Sequence, residues 1–118
     1  MTAKLIFEED LLLYAPEFLL EEFSKYKAMI LAKTKRTKEE MELIFDILKA
    51  RIKFIPKEDL RPFISVAETI APDPKDIPYF AAAIKIGAKL WSNDKKLREQ
   101  NQVKVVATHE LLRLLKPL

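Results

Sequence analysis

The chain has 118 residues, 49% hydrophobic and 33% charged, with one Gly, seven Pro, one His and no Cys. That length fits one domain over residues 1–118 with one core, and the lack of Cys excludes disulfide frameworks, thiol nucleophiles and thiolate-bound zinc. The formal charge of +3 is uneven, with 11 Lys/Arg against 12 Asp/Glu up to Asp59 and 10 against 6 from Leu60 onward.

Lys4 to Glu9 reads as the tail of a helix. Leu11 to Ala15 is a short apolar run that predicts a buried strand, with Pro16 suited to the first position of the next helix, where its missing N–H costs nothing. Leu19, Phe23, Tyr26 and Ile30 then recur at four-three-four spacing, one face of a helix. Thr37-Lys38-Glu39-Glu40 has the form of a capping box and opens a helix with Met41, Ile44, Phe45 and Leu48 toward the core. Ile52 to Ile55 alternates as a half-buried strand. A helix is predicted from Lys57 to Ile70, with Leu60, Ile64 and Ala67 on one side.

The three prolines between Ala71 and Pro78 predict an extended loop. Tyr79 to Ile86 reads as helix, and Gly87 falls where a helix end needs a left-handed residue. Lys89 to Ser92 is a strand candidate, Asn93-Asp94 starts a helix running to Gln100, Val103 to Val106 is a last strand, and Thr108 caps a final helix. Short strands between longer helices argue for an α/β fold with a small parallel sheet. In such sheets functional residues collect at the carboxyl ends of the strands.

The longest uncharged stretch, Ile77 to Ile84, is eight residues, too short for a membrane span. The expectation is therefore a soluble, cytoplasmic protein. The single Gly excludes phosphate-binding glycine loops and dinucleotide fingerprints, and serine chemistry would rest on His109 with Ser24, Ser65 or Ser92. His109 falls in the first turn of the last helix, where an exposed or capping role is the commoner one. What remains is carboxylates, which a hard divalent cation such as Mg²⁺ or Mn²⁺ prefers. Asp76 and Asp94 each also suit a helix cap. The basic second half would tolerate an anionic partner, although abundant Lys and Glu without Cys also suit a thermophile.

Asp73-Pro74-Lys75-Asp76-Ile77-Pro78-Tyr79-Phe80-Ala81-Ala82-Ala83, followed after Gly87 by Leu90-Trp91-Ser92-Asn93-Asp94, resembles the PIN-domain nucleases. There an Asp opens a small-residue helix and a following strand ends in Thr/Ser-x-Asp. Asp76 matches the first, and Ser92 with Asp94 the second. Tyr14 to Phe23 is similar to the strand-to-helix segment that bears the family's catalytic Glu, with Glu22 a better match than Glu21. The resemblance implies a three-layer α/β fold and Mg²⁺- or Mn²⁺-dependent cleavage of single-stranded RNA, often as the toxin of a toxin–antitoxin pair. Homodimerisation is implied as well. Glu22, Asp76 and Asp94 would then be catalytic and hold the metal, with Ser92 supporting. Lys95, Lys96 and Arg98 would hold the RNA backbone.

One departure is large. The family's first strand ends in Asp-x-Asn, and no counterpart precedes the helix tail at Lys4 to Glu9. The site would be one carboxylate short, so weaker metal binding and poor catalysis are expected. Loss of that central strand would also expose sheet edges to another chain. The competing expectation is a non-catalytic helical module that binds nucleic acid or regulates, which needs no metal and keeps Asp76 apart from Asp94.

Overall fold

The structure is a computed structural model, described here for residues 11–35 and 37–114. The expected helix tail at Lys4 to Glu9 lies outside the described residues.

The chain enters through β1 (Leu13–Pro16) and turns at Glu17 into α1 (Phe18–Thr34). Pro16 is thus the last strand residue rather than the first helical one. It pairs in register with Ile55 and is fully buried. A proline is tolerated there because alternate strand residues point their amides to opposite edges, and Pro16 occupies the edge that faces away from β2. Helix α1 ends on Lys35 in a left-handed conformation, φ 54°, a position that usually takes Gly.

The capping box is present as predicted. Thr37 Oγ1 accepts from Glu40 N at 3.1 Å, and Glu40 Oε1 accepts from Thr37 N at 3.4 Å. It opens α2 (Lys38–Arg51), with Met41 buried and Ile44, Phe45 and Leu48 half-buried. The Phe45 ring meets Phe23 of α1 edge-on at 5.5 Å, an apolar contact between the two helices. The chain then forms β2 (Ile52–Ile55) and α3 (Lys57–Ile70), which buries Leu60 and Ala67. Pro62 sits inside α3, where its missing N–H removes one intrahelical bond.

The proline-rich segment is more helical than its composition suggests. Pro74–Asp76 forms a 3₁₀ turn, and α4 (Ile77–Ile86) begins two residues before the predicted Tyr79. Proline's fixed φ suits a first helical turn as well as a loop, and Pro74 and Pro78 both occupy that position. Gly87 closes α4 at φ 63°, as expected. Beyond it lie β3 (Leu90–Trp91), a 3₁₀ turn at Lys95–Glu99, β4 (Val105–Val106) and α5 (Thr108–Leu114). Both last strands are shorter than predicted. The segment after Asp94 is one 3₁₀ turn instead of a helix to Gln100, whose side chain bonds the backbone of Leu97 and Val103.

Thr108 does not cap α5. Its Oγ1 accepts from Trp91 Nε1 at 3.0 Å and Asn93 Nδ2 at 3.1 Å, tying β3 to the helix start. The carbonyl of Ala107 accepts from the amides of Glu110 and Leu111 in α5.

The strands form two parallel pairs. Leu13 stands opposite Ile52 and Pro16 opposite Ile55; Leu90 stands opposite Val105 and Trp91 opposite Val106. The single small sheet expected from the sequence is therefore divided among the described residues, with β1 and β3 not bonded to each other. Helix α4 joins the halves. It packs most extensively on α3 and also touches β1 and β3. Phe80, Ala81, Ala82 and Ala83 are buried, in one core with Ile55, Leu60, Ala67, Leu97, Val103 and Val105. The alanines let both strand pairs approach the helix closely.

Candidate functional site

Three expected carboxylates reach the same end of the molecule by different routes. Glu22 stands on the second turn of α1, just past the carboxyl end of β1. Asp76 closes the 3₁₀ turn ahead of α4, and Asp94 follows β3 by three residues. Glu22 and Asp76 are half-buried and Asp94 is exposed, whereas the neighbouring Glu21 points to solvent.

Their local roles differ. Asp94 is a cap: its Oδ1 accepts from Lys96 N at 3.0 Å, and its own amide donates to Ser92 Oγ at 3.0 Å. Ser92 thereby fixes the turn that presents Asp94, a supporting role in geometry. Asp76 occupies the cap position of α4 but makes no side-chain cap bond, and its backbone is already helical at φ −85° and ψ −15°. Its carboxylate is not used to start the helix.

Burial raises the Asp76 pKa above the ordinary carboxylate value, and the negative charges of Asp73, Asp94 and Glu22 push it the same way. A hydrogen bond from the Asp73 backbone offsets part of this. Asp76 thus senses both of the other expected site carboxylates. The arrangement concentrates negative charge that a bound cation would relieve.

Tyr79, absent from the expected site, joins it through a side-chain hydrogen bond. Its hydroxyl donates to Glu22 Oε1 at 2.7 Å, and its ring meets Phe18 edge-on at 6.3 Å. Burial, the bond to Glu22 and the charges of Glu22 and Asp76 all push the phenol pKa upward, so it remains a neutral donor. The spacing Asp76-x-x-Tyr79 would have revealed it, because residues three apart on a helix share a face.

The basic residues divide. Lys95 and Lys96 are exposed on the 3₁₀ turn beside Asp94. Arg98 is paired with Glu110 of α5. The Glu110 carboxyl is held below its ordinary value, first by the Ala107 amide and then by Arg98. Arg98 therefore ties two elements together and is less available to an RNA backbone than the two lysines. His109 is exposed on α5, outside this group.

Oxygen donors that repel one another suit a hard cation such as Mg²⁺ or Mn²⁺ in chemistry. Their placement is open, since among the described residues no three acidic or imidazole side chains come close enough together to hold one ion.

Parallel strands, with carboxylates gathered past their carboxyl ends, define an α/β domain with an acidic site. A sequence model of the PIN domain matches residues 1–115, and the chain belongs to that family. Membership generally implies nuclease chemistry with divalent metals. No curated protein and no solved structure matches the chain significantly. Among the described residues, no helix is long and apolar enough to cross a membrane.

Proposed function

We propose that this chain is a divalent-metal-dependent endoribonuclease of the PIN family, acting on single-stranded RNA in the cytoplasm. The observation that carries this reading is the placement of Glu22 and Asp94 past the carboxyl ends of β1 and β3, with Asp76 at the start of α4, in a chain of the PIN family. Sequence-distant carboxylates that feel one another at the end of parallel strands are what a hard-cation site requires.

In this reading Asp76 and Asp94 hold Mg²⁺ or Mn²⁺, with Glu22 as a third donor. When bound, the ion supplies an activated water and neutralises charge developing on the phosphate. Tyr79 orients Glu22 by donating to one of its oxygens, which leaves the other free. Lys95 and Lys96 attract the RNA backbone. The toxin role, with an antitoxin protein as partner and a homodimer as the assembled form, belongs to the same proposal and is supported by the family resemblance alone.

A second reading, RNA binding without cleavage, is favoured by the open placement of the acidic groups. One assay separates the two. A fluorescent single-stranded RNA is incubated with the chain and Mn²⁺, with and without chelator, alongside Asp76→Asn and Asp94→Asn. Cleavage that needs Mn²⁺ and falls at least tenfold in each variant supports the nuclease. Salt-sensitive binding with no cleavage supports the second reading, and cleavage indifferent to chelator and to both substitutions refutes the first.

A further inference from the structure

The turn that carries Asp94 is shaped by its own short-range bonds. Asp94 N donates to Ser92 Oγ, Lys96 N donates to Asp94 Oδ1, and Leu97 N donates to Asp94 O. These bonds join near neighbours in the chain, so they travel with the turn and do not fix where it sits on the domain. Asn93 reaches further. Its Oδ1 accepts from Thr108 N at 2.9 Å, and its Nδ2 donates to Thr108 Oγ1 at 3.1 Å. A backbone amide can only donate, so one orientation of the carboxamide satisfies both partners.

This grip continues the β3–β4 pairing after the backbone ladder ends. Ser92 N donates to Val106 O at 3.0 Å. At the next position the Asn93 side chain takes the amide of Thr108, one of the first-turn amides of α5 that have no partner within the helix. Trp91 Nε1 donates to the same Thr108 hydroxyl at 3.0 Å. Trp91, Ser92 and Asn93 are thus all bonded to the segment from Val106 to Thr108, and Asp94 is the next residue along. On the far side of the turn, Leu97 is buried and Arg98 pairs with Glu110. Asn93 itself is exposed, so its contribution lies in these two bonds and not in burial.

We propose that Asn93 is a positioning residue for Asp94, its carboxamide locking the Asp94 turn onto Thr108 so that the carboxylate is held for a cation shared with Asp76. The proposal rests on the metal-dependent reading above. With Oδ1 tied to Lys96 N, Asp94 has little freedom to re-aim by rotating its own side chain. Its direction is therefore that of the whole turn, and Asn93 is the tie nearest to it in the chain. Loss of an outer contact that orients a metal ligand typically weakens metal binding by about 10- to 100-fold.

Calorimetric Mn²⁺ titration and urea unfolding of the unaltered chain and four variants test this. Asn93→Ala loses both bonds, Thr108→Val loses the hydroxyl but keeps its amide, and Thr108→Ser keeps both groups. Ala67→Gly, in the buried face of α3, lowers stability with the clamp intact. The expected result is Mn²⁺ binding at least about 10-fold weaker in Asn93→Ala and less weakened in Thr108→Val. Thr108→Ser and Ala67→Gly should bind as the unaltered chain does. Binding by Asn93→Ala as tight as that of the unaltered chain overturns the proposal alone. So does an equal loss of affinity in Ala67→Gly, which would make the effect one of general stability. If Asn93→Ala does not fold, the Thr108 pair decides, and equal affinity in Thr108→Val and Thr108→Ser overturns the proposal. An unaltered chain that binds no Mn²⁺ refutes the metal-dependent reading itself, and the proposal falls with it.

Discussion

Replacing Asp76 by Asn should stabilise the protein at neutral pH, although it removes a charge from a helix start. The Asp76 carboxylate makes no cap bond, and its pKa is raised by burial and by three acidic neighbours. A raised carboxyl pKa means that the ionised form is less favourable in the native state than in the unfolded chain. The cost is absent below the ordinary value of 3.8, where the group is protonated in both states. It grows as pH rises through the native pKa and is complete above it. Because the half-buried group keeps contact with solvent, screening keeps the effect small, about 0.5 kcal/mol, or a rise of about 2 °C in Tm. Thermal unfolding followed by circular dichroism at pH 7 and pH 3.5, in 0.05 M and 1 M salt, measures it. The gain should vanish at pH 3.5, and shrink in high salt as the screening length falls from more than ten to about 3 Å. Asp94→Ala provides the contrast, because that carboxylate does cap the Lys95–Glu99 turn. It should lose about 0.5 kcal/mol, since cap removal typically costs about 1 kcal/mol and some repulsion is relieved. An Asp76→Asn protein less stable at pH 7, or equally stabilised at both pH values, would refute this account of the acidic group.

Tyr79→Phe removes the hydroxyl that Glu22 accepts from and should cost about 1 kcal/mol in urea unfolding. In the metal reading it should also weaken Mn²⁺ binding less than Glu22→Gln does. Phe80 has no exposed surface, so Phe80→Ala should lose about 3–5 kcal/mol and shift the urea midpoint sharply. Gly87→Ala should cost about 1 kcal/mol despite open space around the site, because φ is 63°. At the other left-handed position, Lys35→Gly should gain about 0.5–1 kcal/mol in the same assay. Mn²⁺ affinity should decline on acidification from a higher pH than an ordinary aspartate would give, because Asp76 must lose its proton to bind and holds it more tightly.

The elements with strong local chemistry were legible in the sequence. The Thr37 and Glu40 capping box, the strand at Ile52–Ile55, the helix at Lys57–Ile70 and the Gly87 terminator are all present. The misreadings have particular causes. Proline is equally at home in a loop and in a first helical turn, so Pro74 and Pro78 concealed the early start of α4. Thr108 has the right type and place for a cap, but the indole of Trp91 claims its hydroxyl, a contact seventeen residues away in sequence. Arg98 looked like a free basic residue until α5 brought Glu110 against it. The carboxylates were visible by pattern. The distinction between a capping Asp94 and an uncommitted Asp76 is a matter of side-chain direction, which residue types do not encode. Tyr79 was within reach from its helical spacing to Asp76, but its bond to Glu22, 57 positions away in the chain, was not.

The central claim is that Asp76, Asp94 and Glu22 act together on one divalent cation, and calorimetric titration with Mn²⁺ at pH 7 tests it most directly. The account predicts saturable binding to the unaltered chain, at least tenfold weaker in Asp76→Asn and in Asp94→Asn and reduced in Glu22→Gln. Affinity unchanged by all three substitutions, or no binding at any Mn²⁺ concentration that leaves the protein folded, would contradict it.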